Sequence, residues 1–108
     1  MLASGSDDKT VKIWIWNDEE KKFSYQHNLK HKYSILSVSW RANDTNPNIL
    51  ASASDKQIII WDTTTEYPVQ TLISGKELDD IVTSVSWSGD GKMLASGNLS
   101  NSLIRIWN

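Results

Sequence analysis

A unit that recurs three times constrains this chain more than any other feature. Leu2-Ala3-Ser4 leads to Trp14, Leu50-Ala51-Ser52 to Trp61, and Leu94-Ala95-Ser96 to Trp107. A Ser-Val-Ser-Trp run ends at Trp40 and again at Trp87. Equivalent tryptophans lie 47, 46 and 47 residues apart, from Trp14 to Trp61, Trp61 to Trp107 and Trp40 to Trp87. A fixed period in this range marks stacked supersecondary units. Each such unit buries its faces only against its neighbours, so it is built as one slice of a larger object.

The segments inside the period read as strands. Short β-branched and aromatic runs alternate with turn residues, and no stretch sustains a helical period. Strands are expected at roughly 2–5, 10–16, 23–27, 35–40, 48–53, 57–61, 69–73, 82–87, 92–97 and 103–107. Ser88-Gly89-Asp90-Gly91 supplies a tight hairpin turn. On the run to Trp40, alternation puts Leu36, Val38 and Trp40 on one face and Ser37 and Ser39 on the other. Small side chains of that kind suit a strand pressed closely on a neighbouring sheet. Ile58-Ile59-Ile60-Trp61 is apolar on both faces, as a strand covered on both sides should be. Its counterparts carry Lys12 and Arg105, so the middle unit should be the most enclosed.

Charge and cysteine content narrow the function classes. A net charge of -2 gives no electrostatic footprint for nucleic acid, and none is expected as a partner. Lysines and acids are interspersed, which does not favour an anionic membrane surface. No apolar run of about 18 residues is present, and no signal peptide is expected because the first residues already belong to a repeat. With no cysteine, disulfides, thiolate metal sites and cysteine nucleophiles are excluded. The expectation is an intracellular, cytoplasmic protein, with the nucleus left open.

Three motifs in order carry a resemblance. They are Ser-Val-Ser-Trp-Ser-Gly-Asp-Gly-Lys-Met-Leu-Ala-Ser-Gly (84–97), Leu-Ala-Ser-Gly-Ser-Asp-Asp-Lys-Thr-Val-Lys-Ile-Trp (2–14) and the dipeptide Trp61-Asp62. On these the chain resembles the WD40 repeat family over nearly its whole length. The resemblance implies an all-β fold of four-stranded antiparallel blades around a channel, a β-propeller. With strands named a to d from the channel outward, the chain reads b-c-d, a-b-c-d, a-b-c. That is about 2.5 blades, short of the four to eight that close a ring. The fold is therefore expected to be partial and open unless other chains complete it. The expectation is a fragment, with self-assembly to close the propeller as the other reading. In repeat units the chain divides as 1–22 (strands b-c), 23–62 (d-a-b-c) and 63–108 (d-a-b-c).

The same resemblance assigns a structural role to residues that otherwise suggest catalysis. Ser52, His31 and Asp55 have the composition of a catalytic triad. In WD40 blades, however, a His before strand a, a Ser in strand b, an Asp in the b–c turn and the strand c Trp form one hydrogen-bond network. Here these are His31, four residues before Ile35, Ser52, Asp55, six residues before Trp61, and Trp61 itself. The donor and acceptor inventory suits a buried chain of bonds. No Gly-x-Ser-x-Gly surrounds Ser52. Leu78 and Asn101 stand at the His and Asp positions of the third repeat, which is therefore expected to be looser. His27 and His31 are four apart but lack a Glu between them and a third ligand, so no metal site is expected. No cofactor is expected either.

By resemblance, loops joining strands d–a and b–c line one face, the top, and bind partners. The candidate contacts are Tyr33, Lys32, Lys9, Lys56, Asp79 and Asp80, with Tyr33 first because tyrosine offers large contact area at small entropic cost. Trp16, two residues past Trp14, is expected to pack on a neighbouring strand or blade. The implied function is a non-catalytic scaffold binding proteins or peptides. The alternative is a regulatory or targeting portion of a larger, enzyme-bearing protein.

Overall fold

The computed structural model describes residues 1–42, 46–65, 67–72, 81–99 and 104–108. Strands follow one another as β1 (Leu2–Gly5), β2 (Thr10–Asn17), β3 (Lys22–Lys30), β4 (Ile35–Trp40) and β5 (Ile49–Ser54). The second half continues with β6 (Ile58–Asp62), β7 (Pro68–Leu72), β8 (Val82–Trp87), β9 (Leu94–Asn98) and β10 (Ile104–Trp107). They form three antiparallel sheets, β1-β2-β3, β4-β5-β6-β7 and β8-β9-β10. Only the middle sheet has four described strands, as the b-c-d, a-b-c-d, a-b-c reading requires. The three sheets are open and all-β, in accord with a partial propeller.

Short polar side chains fix the reversals. In the turn after β8, Gly91 N–H donates to the Ser88 carbonyl (2.9 Å) while Ser88 Oγ donates to Asp90 Oδ1 (2.6 Å). Gly91 adopts φ of +73°, and a Cβ there would collide with the Ala42 carbonyl oxygen. Glycine is thus required twice at this position, for its backbone angle and for the approach of the third sheet to the middle one. Asp8 and Asp62 brace their turns in the same manner, each accepting from the hydroxyl of a Thr two residues on at 2.6 Å. Those hydroxyl bonds hold both carboxyls below their usual range.

β-Bulges modify the simple alternation of faces. Ile35 opposes Ser54 and Ser37 opposes Ala53, so Leu36 is the extra residue of a bulge. Leu36 consequently does not share the face of Val38 and Trp40, contrary to strict alternation. Ile35 takes that side and is buried, whereas Leu36 is left exposed. A matching bulge at Thr83 brings Val82 and Val85, three residues apart, into one core.

Two apolar cores lie on either side of the middle sheet. One gathers Val11, Ile13 and Leu29 of the first sheet with Ile35, Leu50, Ile59 and Trp61. The other gathers Ile49, Ala51, Ala53, Ile58 and Ile60 with Val82, Val85 and Leu94 of the third. Alternate residues of β5 and β6 therefore serve opposite cores, and the middle unit is the most enclosed. Each fully buried Ile contributes about 1.5–3 kcal/mol of transfer free energy.

The serine face of β4 meets β8 of the third sheet. Val85 N–H donates to Ser37 Oγ (3.2 Å) and Trp87 N–H to Ser39 Oγ (3.3 Å). The Trp87 indole adds a bond to the Ser39 carbonyl (3.1 Å). Hydroxyls on short side chains here satisfy backbone donors on the inner edge of the third sheet, which larger residues would push away.

Candidate functional site

Ser52 occupies the centre of the middle sheet, and the two cores that sandwich β5 leave it fully buried. Its Oγ accepts from the Trp61 indole Nε1–H at 2.8 Å and lies 2.5 Å from His31 Nε2. The His31 ring stands over Trp61, with centroids 5.8 Å apart. Its backbone is anchored separately, His31 N–H donating to the Lys9 carbonyl at 2.8 Å. Trp61 can only donate, so Ser52 Oγ accepts from it and shares its remaining bond with His31 Nε2, whose tautomer sets the direction of that bond. Burial pushes the His31 pKa down to about 4, so the ring is neutral at physiological pH.

Asp55 does not join this chain of bonds. His31 Nδ1 is buried with no hydrogen-bond partner, whereas an Asp55 carboxylate in the expected place would accept from it. Asp55 sits instead in the β5–β6 turn, at the wall of a surface cavity. The turn is closed by Ser54, whose N–H and Oγ both donate to the Gln57 carbonyl, at 2.9 and 3.3 Å. At the equivalent turn of the first sheet, Thr10 donates its hydroxyl and N–H to Asp8. Gln57 stands in the place of Thr10 and has no hydroxyl at Cβ to hold the carboxylate that way.

The Ser–Trp half of the network recurs in every sheet. Trp14 Nε1–H donates to Ser4 Oγ and Trp107 Nε1–H to Ser96 Oγ, both at 3.0 Å. Leu78 and Asn101 lie outside the described residues. A Ser52 hydroxyl enclosed between two sheets, with Trp61 and His31 on it, has no surface at which a substrate could meet it. The three-residue constellation is a staple between β5, β6 and the segment before β4.

His27 is in β3 opposite Ile13, so it and His31 do not share a helical face. Among the described residues, no group of three or more His, Cys, Asp or Glu side chains could hold a metal ion. No described helix is long and apolar enough to cross a membrane. Trp16 packs edge-on against Phe23 of the adjacent strand, with centroids 5.1 Å apart, and its indole donates to Asp18 (2.9 Å). It therefore rests on a strand of its own sheet.

Loops from all three sheets converge on a cavity of about 320 Å³ lined by Lys9, Tyr33, Ser34, Leu36, Asp55 and Ile81. Lys9 reaches it from a turn in which its own φ is +72°, and Ser34 Oγ donates to the Asp7 carbonyl at 3.2 Å. Tyr33 is half-buried, with the Lys32 ammonium 5.5 Å from its ring centroid. Of the candidate contacts, Tyr33 and Lys9 line this cavity and Lys32 stands beside it. Lys56 follows Asp55 in the β5–β6 turn, while Asp79 and Asp80 lie outside the described residues. Leu36 and Ile81 were not singled out by sequence reasoning. Leu36 could have been, since an apolar residue inserted between Ile35 and Ser37 answers to Thr83 in the next repeat. Lys9 and Asp55 give this cavity charges of both signs beside an apolar floor.

Comparison with known proteins places this geometry in context. The family model described as WD domain, G-beta repeat, matches residues 1–14, 23–62 and 67–108. The chain is similar to the protein transport protein sec13 of Aspergillus oryzae, with 31% identity over 98% of this chain and 36% of that protein. It is also similar to the ribosome biogenesis protein WDR12 homolog of Nematostella vectensis, with 36% identity over 95% of this chain and 24% of that protein. The SEC13 homolog of Drosophila melanogaster matches at 28% identity over 98% of this chain and 30% of its own length. The chain thus spans about a third or less of each of these relatives.

Proposed function

The chain belongs to the WD40 family, and on that premise we propose that it is a non-catalytic interaction scaffold that docks proteins or peptides on its top-face loops. The observation that carries this reading is the cavity where Lys9, Tyr33, Leu36 and Asp55 meet. An aromatic ring and an apolar floor flanked by opposite charges are the ingredients of a small protein-binding hot spot. The enclosure of Ser52 supports a non-catalytic role, because its hydroxyl and His31 are spent with Trp61 on holding strands together, apart from Asp55. The relatives support the scaffold rather than any single process. One is named for protein transport and another for ribosome biogenesis, and what they share with this chain is the repeat.

The proposal takes the repeat units as 1–22, 23–62 and 63–108 and an intracellular setting. It includes neither nucleic acid nor membrane among the partners. A photo-crosslinking side chain at position 33 identifies a partner directly, and the affinity of that partner is then measured by calorimetry. Tyr33→Ala is expected to weaken binding at least about tenfold, the range of a hot-spot residue, and Lys9→Ala to weaken it less. A partner captured at position 33 whose affinity is indifferent to Tyr33, Lys9 and Lys56 would overturn the top-face reading.

A further inference from the structure

A second cavity, of about 270 Å³, lies on the other side of the middle sheet, between it and the third. Its walls are apolar, formed by Ile60, Leu72, Leu94, Trp87 and Trp107. Arg41 and Lys92 are its charged side chains, Asn108 also lines it, and among the described residues no Asp or Glu side chain does. The Arg41 guanidinium lies over the Trp87 ring, 5.8 Å from the centroid. Arg41 Nε is buried there without a hydrogen-bond partner. A buried N–H donor with no acceptor is costly to a fold, and it marks a place where an acceptor from outside is gained at little further desolvation cost to that N–H.

Size and edge geometry select the occupant. Sites for cofactors and drug-sized ligands usually run from about 300 to 1,000 Å³, and an apolar cavity of about 150 Å³ already takes benzene. This one fits a single large side chain better than a cofactor. One rim is β7, which among the described strands pairs only with β6, so its other edge can run beside an extended chain. Val69 and Gln70 of β7 also line the cavity.

We infer that the cavity between the middle and third sheets is a docking site for an extended acidic segment of a partner protein, which seats one apolar side chain between Trp87 and Trp107 and sets a neighbouring Asp or Glu carboxylate on Arg41. Charge complementarity argues for the acid, since the charged side chains among the described lining residues, Arg41 and Lys92, are cations. The site is separate from the top-face cavity at Tyr33, and it stands or falls independently of that reading.

The test uses two synthetic peptides blocked at both ends, acetyl-Ser-Gly-Glu-Phe-Asp-Gly-Ser-amide and its Gln/Asn counterpart, titrated into the ¹⁵N-labelled chain. The acidic peptide is expected to shift the indole N–H signals of Trp87 and Trp107 and to leave those of Trp14 and Trp16 in place. The amide peptide is expected to bind at least tenfold more weakly, and Arg41→Gln to remove that preference, while Tyr33→Ala leaves it unchanged. The comparison of the two peptides needs no protein variant, so it stands even if Arg41→Gln fails to fold. Equal binding of both peptides, or shifts centred on Trp14 and Trp16, would each overturn the proposal.

Discussion

The middle and third sheets carry the same residues at several repeat-equivalent positions, yet they live in different surroundings. Leu50-Ala51-Ser52 answers to Leu94-Ala95-Ser96, and Ile58 and Ile60 answer to Ile104 and Ile106. Ile58 and Ile60 are 0% and 7% exposed, whereas Ile104 and Ile106 are 71% and 60% exposed. The residues are the same and the strands pair in the same order; what differs is whether another sheet lies on that face. Burial in a stacked architecture is therefore a property of the neighbour as much as of the repeat. The staple differs too: Ser52 holds both Trp61 and His31, while in the third sheet the described bond is that of Trp107 to Ser96.

Four measurements can break or sharpen this contrast. The largest effect is expected from Trp61→Ala, which empties a site inside a core and should cost about 3–5 kcal/mol in urea denaturation. Trp107→Ala should cost clearly less, because Trp107 is only partly buried. Equal losses would mean that the two sheets are equally enclosed in solution.

Acid should act on the middle sheet through His31. Its pKa is about 4 in the folded chain against an ordinary 6.5, so between those values the unfolded chain binds a proton that the folded chain refuses. Stability should be full above about pH 6.5 and fall by up to roughly 3 kcal/mol as pH drops to 4. His31→Gln should flatten that part of the melting-temperature profile. The carboxyls of Asp8, Asp62 and Asp90 are held below their usual range, so their contributions are lost at lower pH and do not obscure the His31 window.

Removing the shared acceptor separates a buried staple from an exposed one. Ser52→Ala leaves the Trp61 indole and His31 without their partner and should cost about 1–3 kcal/mol. Ser4→Ala, which removes the same type of bond at an exposed position, should stay within about 1 kcal/mol. Asp55→Ala should also have little effect on melting, because Asp55 is not bonded to His31. A drop for Asp55→Ala matching that of Ser52→Ala would restore the four-member network.

The smallest effect on folding and the clearest on association should come from Ile104→Lys with Ile106→Lys. These exposed positions should change stability by about 0.5 kcal/mol or less. Yet they form the apolar face that in the middle sheet is covered by a further sheet, and such a face invites association. Sedimentation of the unsubstituted 108-residue chain should show self-association that the double variant loses. A strictly monomeric unsubstituted chain would mean that this face needs no cover.

Much of the fold was legible because a repeat states its own boundaries. Tryptophan spacing, β-branched runs and the Ser-Gly-Asp-Gly turn located the ten described strands, and the run Ile58-Ile59-Ile60-Trp61 announced a strand covered on both faces. His31, Ser52 and Trp61 were legible as one network through the resemblance to WD40 blades, which assigns them that role. Asp55 and Leu36 were misread, and for related reasons. A hydrogen bond depends on an ångström of turn geometry, and a bulge shifts every later side chain by one position.

What the sequence alone determined is periodic: strand number, strand order and the face that each regular position presents. Only the tertiary structure decided what happens where two units meet. It left Asp55 outside the staple, closed β8 onto the serines of β4, and set Arg41 over Trp87 with Nε unpaired in an apolar cavity. The physical reason is range. Alternation and turn chemistry act between residues near in the chain, whereas the desolvation of Ser52, His31 and Arg41 depends on sheets brought together from distant segments.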